Sequence, residues 1–446
     1  MNLIKNDKKL YYDIGSYLIL SLPITIIFSR FLADFSIVLL SILFFLIRGN
    51  NKLFENKVVL LSFIFIFFAV ISSLLSLNIL LSLKSSMLHI RFVFFSLAVS
   101  LIFIYFKEDF IKKLFYLFVI CYLILFFDST YQFFFKQNIF GYVVDPPDRI
   151  SSLFFGELVL GTYLAKLFPI LVFLYLFLKI KINKLLIIYF LLHLYFTSFI
   201  TGERTSFFIL NIYYFLFSLL IFRNSFKKFY LTIIVVIFFI SSVLGSNLIN
   251  ARSSFSTIEG SFTSYNFTVC NNTKDNIEYK KLGKYWSNYT PNCDPIFEIF
   301  DRKVYYFPSV MHFNHYIAAV SIFKDYKLLG IGPKNYRFKC FEDKYYLNEY
   351  SCSTHPHNYF LQLLAETGIV GFTVFTIIYF IFIYLFFKNL FSYDEKNSLC
   401  KLILISCFLV NFLPLLPSGN FFNNWVSILY SFPLGFLLGM YSYKTE

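Results

Sequence analysis

Long apolar runs fill the chain, separated by short polar punctuation. They lie near 12–29, 31–47, 58–75, 90–106, 114–135, 157–178, 185–200, 205–222, 229–248, 367–387, 399–416 and 421–441. An α-helix needs about 20 mainly apolar residues to cross a bilayer core, so the pattern predicts twelve membrane helices. One long interruption, about 249–356, separates the ninth and tenth runs. The expected fold is an all-α polytopic membrane protein with about 12 transmembrane helices and one large loop between helices 9 and 10. The first run has polar flanks and a second run close behind it, unlike a cleaved signal peptide.

Composition agrees: 58% of residues are hydrophobic, 23% aromatic and 14% charged, with mean hydropathy +0.68. Soluble domains carry about a quarter charged residues. Gly and Pro are too scarce for disorder or collagen-like repeats. The net charge of +14 would suggest nucleic acid in a soluble protein; here the basic residues sit between apolar runs and report topology, so no nucleic-acid partner is expected. With the N-terminus inside, the inner segments hold Lys5, Lys8, Lys9, Arg48, Lys52, Lys57, Lys107, Lys112, Lys113, Lys179, Lys181, Lys184, Arg223, Lys227, Lys228, Lys388, Lys396, Lys401 and Lys444. The short outer loops hold only Arg30, Lys84, Arg91, Lys136, Arg149 and Arg204. This bias puts both termini in the cytoplasm and the long loop outside.

That loop carries 13 basic and 10 acidic residues, as a small folded module would. It also holds Cys270, Cys293, Cys340 and Cys352. An oxidising exterior allows three pairings, of which the local ones, Cys270 with Cys293 and Cys340 with Cys352, are preferred. Cys121, Cys400 and Cys407 lie in spans and read as small hydrophobes. There is no internal repeat, phosphate-binding loop, dinucleotide glycine pattern or zinc-type cysteine pairing, and no cofactor is expected.

Candidate chemistry starts with outer arginines that the topology rule disfavours. Arg204 lies in the short loop Thr201-Gly202-Glu203-Arg204-Thr205-Ser206, either snorkelling beside Glu203 or clamping an anion with its planar fork of donors. Arg149 stands at the mouth of the sixth span, ahead of Gly156, Glu157, Gly161 and Lys166. Charges on an apolar helix are costly unless they face partners or a cavity. In Ser353-Thr354-His355-Pro356-His357-Asn358, the proline keeps the two histidines off one helix face. His357 and Asn358 are expected to open span ten, as a cap or as a base at the positive helix end. His312 and His315 have helical i, i+3 spacing, but no carboxylate or thiolate joins them at metal-ligand spacing, and no metal is expected.

The segment "HPHNYFLQLLAETGIVG", with ten residues between His357 and Gly368, resembles the His-containing signature of the O-antigen ligase and O-antigen polymerase superfamily. "FKDYKLLGIGPKNYR" (323–337) resembles the stretch preceding that signature, "TGERTSF" (201–207) its short arginine loop, and "RISSLFFGELVLGTYLAKLFP" (149–169) a polymerase-type segment. The resemblance covers about 149–375 and marks off three regions. These are N-terminal helices (1–148), a ligase/polymerase-like catalytic region including the loop at about 249–356 (149–375), and C-terminal helices (376–446). It implies an inner-membrane glycosyltransferase that takes a glycan from undecaprenyl diphosphate on the periplasmic face, with inversion and without a metal. The acceptor would be lipid A-core (ligase) or a second lipid-linked repeat (polymerase). Membrane lipid surrounds the enzyme, and a chain-length regulator is a further candidate partner.

The family's catalytic histidine maps to His357 and its loop arginine to Arg204, with Arg149 as a further catalytic candidate. Asn358, Glu157, His312, Arg302 and Arg337 are candidate substrate contacts. Two departures stand out. The polymerase-type Arg–Gly spacing of ten residues becomes eleven from Arg149 to Gly161. His312, four residues before Tyr316, stands where ligases often carry an arginine, leaving Arg302, Arg337 or Arg149 as the second phosphate ligand. The competing class is a transporter or flippase of lipid-linked sugars, which predicts mid-membrane charges in several spans and two related halves; only Lys166, His193 and Asp128 qualify, and the halves do not match. A scaffolding protein would have no reason to gather Arg149, Arg204 and His357 on one face.

Overall fold

A computed structural model describes residues 2–47, 53–144, 149–222, 264–265, 304–305, 310–346, 351–392, 395–414 and 416–442. Its helices are α1 (Asn2–Phe28), α2 (Arg30–Ile47), α3 (Lys57–Leu74), α4 (Ile79–Phe135), α5 (Leu160–Leu178), α6 (Lys184–Ile200), α7 (Arg204–Phe222), α8 (Val310–Asp325), α9 (Tyr336–Lys339), α10 (Tyr359–Leu390), α11 (Glu395–Asn411) and α12 (Asn424–Ser442). A two-residue antiparallel pairing joins Ser264–Tyr265 to Val304–Tyr305. Among the described residues nine helical stretches are long and apolar enough to cross a membrane, and two shorter apolar helices, Lys184–Ile200 and Asn397–Asn411, accompany them. Together they account for eleven of the twelve expected runs; the other, 229–248, lies outside the described residues. The protein is an all-α polytopic membrane protein.

Helix α4 contains two spans, Ile79–Phe106 and Glu108–Phe135. Phe95 and Phe118 both pack on Phe432, with ring centroids 5.9 and 6.3 Å away. A straight helix rising 1.5 Å per residue would hold them roughly 35 Å apart. The element therefore folds back around residue 107, where apolar Phe106 gives way to Glu108-Asp109. Small residues bring α12 against it: a Cβ on Gly435 would lie 2.5 Å from Val99 Cβ, and Ser96 Oγ donates to Ser431 O at 2.8 Å. Between membrane helices, close backbone approach and polar side-chain bonds supply the association that the hydrophobic effect cannot.

The connections at one end of the bundle meet each other. Arg30, opening α2, pairs with Glu157 ahead of α5. Asn78 N, ahead of α4, donates to Asn335 Oδ1 at 3.1 Å, and Asn424 Nδ2, opening α12, donates to Asp34 at 3.3 Å. This end is organised by a latch on α10. Gly368 (φ 62°, ψ −169°) breaks that helix, and residues 327–332 fill the gap. Ile369 N and Val370 N donate to Lys327 O and Leu328 O (2.8 and 3.3 Å), while Ile331 N and Gly332 N donate to Ala365 O and Glu366 O (3.1 and 2.8 Å). A Cβ on Gly368 would sit 2.3 Å from Leu328 O, so its positive φ and the close backbone contact both require glycine. Buried Glu366 completes the joint, accepting from Tyr336 N (3.2 Å) and Gln362 Nε2 (2.9 Å) through its carboxylate and from Ser72 Oγ (2.8 Å) through its carbonyl.

Candidate active site

The latch delivers the segment before α10 to a cluster of four of the chain's six histidines. His312 and His315 project from the first turns of α8. His355 and His357 arrive on the other side of Pro356. From the His357 ring, centroids of His355, His315 and His312 lie 4.1, 5.2 and 5.4 Å away, and the His315 ring is inclined by only 27°. His357 does not open the helix as expected. Asn358 is the cap, accepting from Leu361 N at 3.1 Å, and its Nδ2 donates to Pro414 O at 2.6 Å, so its amide is committed to structure. His357 precedes it with φ 54°, a left-handed conformation that costs a β-carbon residue roughly 1–2 kcal/mol. The His357 carbonyl accepts from Ser418 N at 2.8 Å, which fixes that turn against the α11–α12 connection.

Hydrogen bonding distinguishes the two histidines. His355 Nε2 lies 3.1 Å from Ser418 O and its Nδ1 lies 2.9 Å from Thr354 Oγ1, so both ring nitrogens are engaged. His357 Nε2 lies 3.0 Å from Ser353 Oγ, which also donates to His355 O at 3.1 Å. A serine hydroxyl has one proton. Spent on a carbonyl that can only accept, it leaves the oxygen to accept from His357 Nε2–H. Nδ1 of His357 then carries the lone pair, and it makes no hydrogen bond with a described residue. His355 braces the turn; His357 presents a base.

Burial, then the neighbouring imidazoles, lowers the His357 pKa to about 2. Burial likewise brings His312 and His355 to about 4, helped by His315 and Arg204 for the first and by His315, Arg337 and His312 for the second, and lowers His315. All four rings are neutral at neutral pH. Among the described residues no group of three or more His, Cys, Asp or Glu side chains is placed to hold a metal ion.

Two of the expected arginines act on this cluster. Arg204 begins α7 and acts electrostatically on His312, and Arg337, on α9, acts on His355. Arg149 acts on Glu203. It precedes a turn anchored inside the bundle, where Ser152 donates from Oγ to Asp128 (2.5 Å) and from N to Gln132 Oε1 (2.7 Å). Asp128 thus does structural work. Glu203 does not pair with Arg204: its carboxylate accepts from Gly161 N (2.7 Å), Thr162 N (3.0 Å), Thr162 Oγ1 (2.7 Å) and Ser206 Oγ (3.0 Å), capping α5 from the neighbouring loop. Burial raises its pKa despite those four donors. Glu157, a candidate substrate contact, is paired with Arg30. Arg302, Cys270 and Cys293 lie outside the described residues.

Cys340 and Cys352 are free thiols here, so the expected crosslink is not formed, but the two side chains hydrogen-bond to each other. Cys340 is held below the ordinary thiol range by donation from Cys352 and from the Ser353 amide. Ser353 therefore joins the thiol pair to His357.

Residues 188–376 match the family model described as O-antigen ligase. Over those residues the chain is similar to the O-antigen ligase family. The matched region includes Arg204, the whole histidine cluster, the latch and Gly368, and excludes Arg149, Glu157 and the Ser418 turn. Comparison with curated proteins gives no match. The stretch from His357 to Gly368 is physically the histidine turn plus the helix break that holds it. Sequence reading missed Ser353, the role of Glu203 as a cap and the part played by His315 beside His357; the His312–His315 spacing was the one visible hint.

Proposed function

We propose that this protein is a glycosyltransferase of the inner membrane that moves a glycan from undecaprenyl diphosphate to an acceptor sugar hydroxyl on the periplasmic face, as an O-antigen polymerase or ligase. The observation that carries this reading is the convergence, at one end of the bundle, of a neutral His357 with a bare Nδ1 and arginines on neighbouring elements. The positive-inside bias supports an orientation with that end outside and both termini in the cytoplasm.

Nδ1 of His357 takes the acceptor hydroxyl proton as the oxygen attacks the anomeric carbon. The carbon–oxygen bond to diphosphate breaks with inversion, and Arg204 and Arg149 stabilise the charge gathering on the leaving group. A pKa of about 2 would make a weak base. The donor's diphosphate supplies the correction, because an anion beside the imidazole raises its pKa. The base strengthens once substrate is bound. An apolar cleft of about 90 Å³ among α3, α4, α10, α11 and α12, lined by Phe65, Phe375, Phe412, Phe421 and Leu434, is a seat for part of a polyprenyl tail.

The test is the surface polysaccharide of a deletion strain of the native host, with and without the wild-type chain restored. Loss of a polymerase leaves core capped by one repeat. Loss of a ligase leaves long glycan on its carrier and bare core. Unchanged polysaccharide would refute the reading.

A further inference from the structure

A polar cavity, of about 320 Å³, opens at the same end of the bundle as the histidines. Arg30, Asp34, Lys334, Asn423, Asn424 and Trp425 are among its lining residues. Its lining acid is already occupied, since Asp34 holds Arg91 at 2.7 Å and accepts from Asn424; its Arg30 is paired with Glu157. Lys334 makes no salt bridge among the described residues and stands on a left-handed turn (φ 63°) between the latch and α9. Its other electrostatic neighbours are Arg337, Arg91 and Lys84, all of its own sign, and the buried Glu366. Cations crowd together here on the side where the topology rule thins them out. An anion arriving in the cavity would relieve their repulsion.

The cavity also has a place in the order of the site. Arg204 acts on His312, and Arg337 acts on both His355 and Lys334. Arg337 thus links the histidine cluster electrostatically to the cavity, while Arg204 acts on the cluster from α7. Joining two glycans that each ride on a lipid diphosphate brings two diphosphates to one enzyme, each in need of counter-charge. Transfer to lipid A-core brings only one. Resting on the function proposed above, we infer that the Lys334 cavity binds the diphosphate of the acceptor's lipid carrier, so that the enzyme is of the polymerase type. The apolar cleft lies against the same Phe421–Leu434 stretch that lines the cavity, giving that carrier's tail a path.

The test is calorimetric titration of the purified full-length protein in detergent with farnesyl diphosphate. Two equivalents should bind the wild type. Lys334→Asn, which tolerates the left-handed turn, should retain one, with the lost site at least about tenfold weaker. Asn424→Asp, which adds negative charge to the cavity, should do the same, and Arg204→Ala should lose the other equivalent. Excess phosphatidylglycerol should displace neither. A single equivalent that vanishes only in Arg204→Ala overturns the inference and leaves the proposed function standing. A single equivalent that vanishes only in Lys334→Asn upholds the cavity and removes the Arg204 clamp. Displacement from the cavity by phosphatidylglycerol makes it a headgroup site and overturns the inference, and no binding at all overturns both readings.

Discussion

At the scale of single residues, the proton on Ser353 decides which nitrogen of His357 is basic. Ser353→Ala removes the acceptor that holds Nε2–H and lets the ring rotate or change tautomer. We expect kcat to fall by about 10²-fold, the low end of what general-base catalysis contributes, with little change in KM. An unchanged kcat would mean that the tautomer is set elsewhere. The same histidines couple folding to pH. In the unfolded chain they titrate near 6.5, whereas in the fold His312 and His355 stay neutral down to about 4. Below about 6.5 the unfolded state therefore binds more protons, and stability is lost as pH falls from there toward 4. Melting in detergent should shift to lower temperature between pH 7 and 4.5, and less so in the His312→Gln, His355→Gln double variant. A flat wild-type profile would contradict the burial argument.

At the scale of elements, the break in α10 holds the site together, because the latch that fills it also carries α9 and the thiol pair to the histidine turn. Gly368→Ala drives a Cβ onto Leu328 O and forces a positive φ. We expect a destabilisation of about 2–4 kcal/mol, read as a lowered melting temperature with lost activity; a variant as stable as wild type would mean that the latch is dispensable. The two thiols are placed for the crosslink the sequence suggested. On the periplasmic placement proposed above, Cys340 and Cys352 should be found joined in non-reduced peptides by mass spectrometry, and Cys352→Ser should lower stability by roughly 2–4 kcal/mol. Free thiols in protein isolated without reductant would refute this. The latch itself was not legible in the sequence. Its hydrogen bonds join residues about forty positions apart, and hydropathy reports only local periodicity. Gly330, Gly332 and Gly368 were visible as glycines, but the contact that demands the last of them was not.

At the scale of the whole molecule, apolar run length found eleven of the twelve expected spans, because a bilayer fixes the length of what crosses it. The fold-back at residue 107 was legible too, since charge interrupts the two apolar halves of one long helix. The resemblance nominated His357 and Arg204 for the chemistry, and spacing put His357 at the start of the helix, where the structure has a left-handed turn before the cap. The arrangement around it depends on loops that only the folded bundle brings to one end, the Ser418 turn and the α5 cap among them. The most direct test of the account is release of polyprenyl diphosphate by purified His357→Asn, which keeps a residue tolerant of the left-handed turn, compared with wild type at equal protein level and equal melting temperature. The account predicts a fall of about 10²–10⁴-fold with donor binding retained. Transfer at the wild-type rate would show that the base is another group.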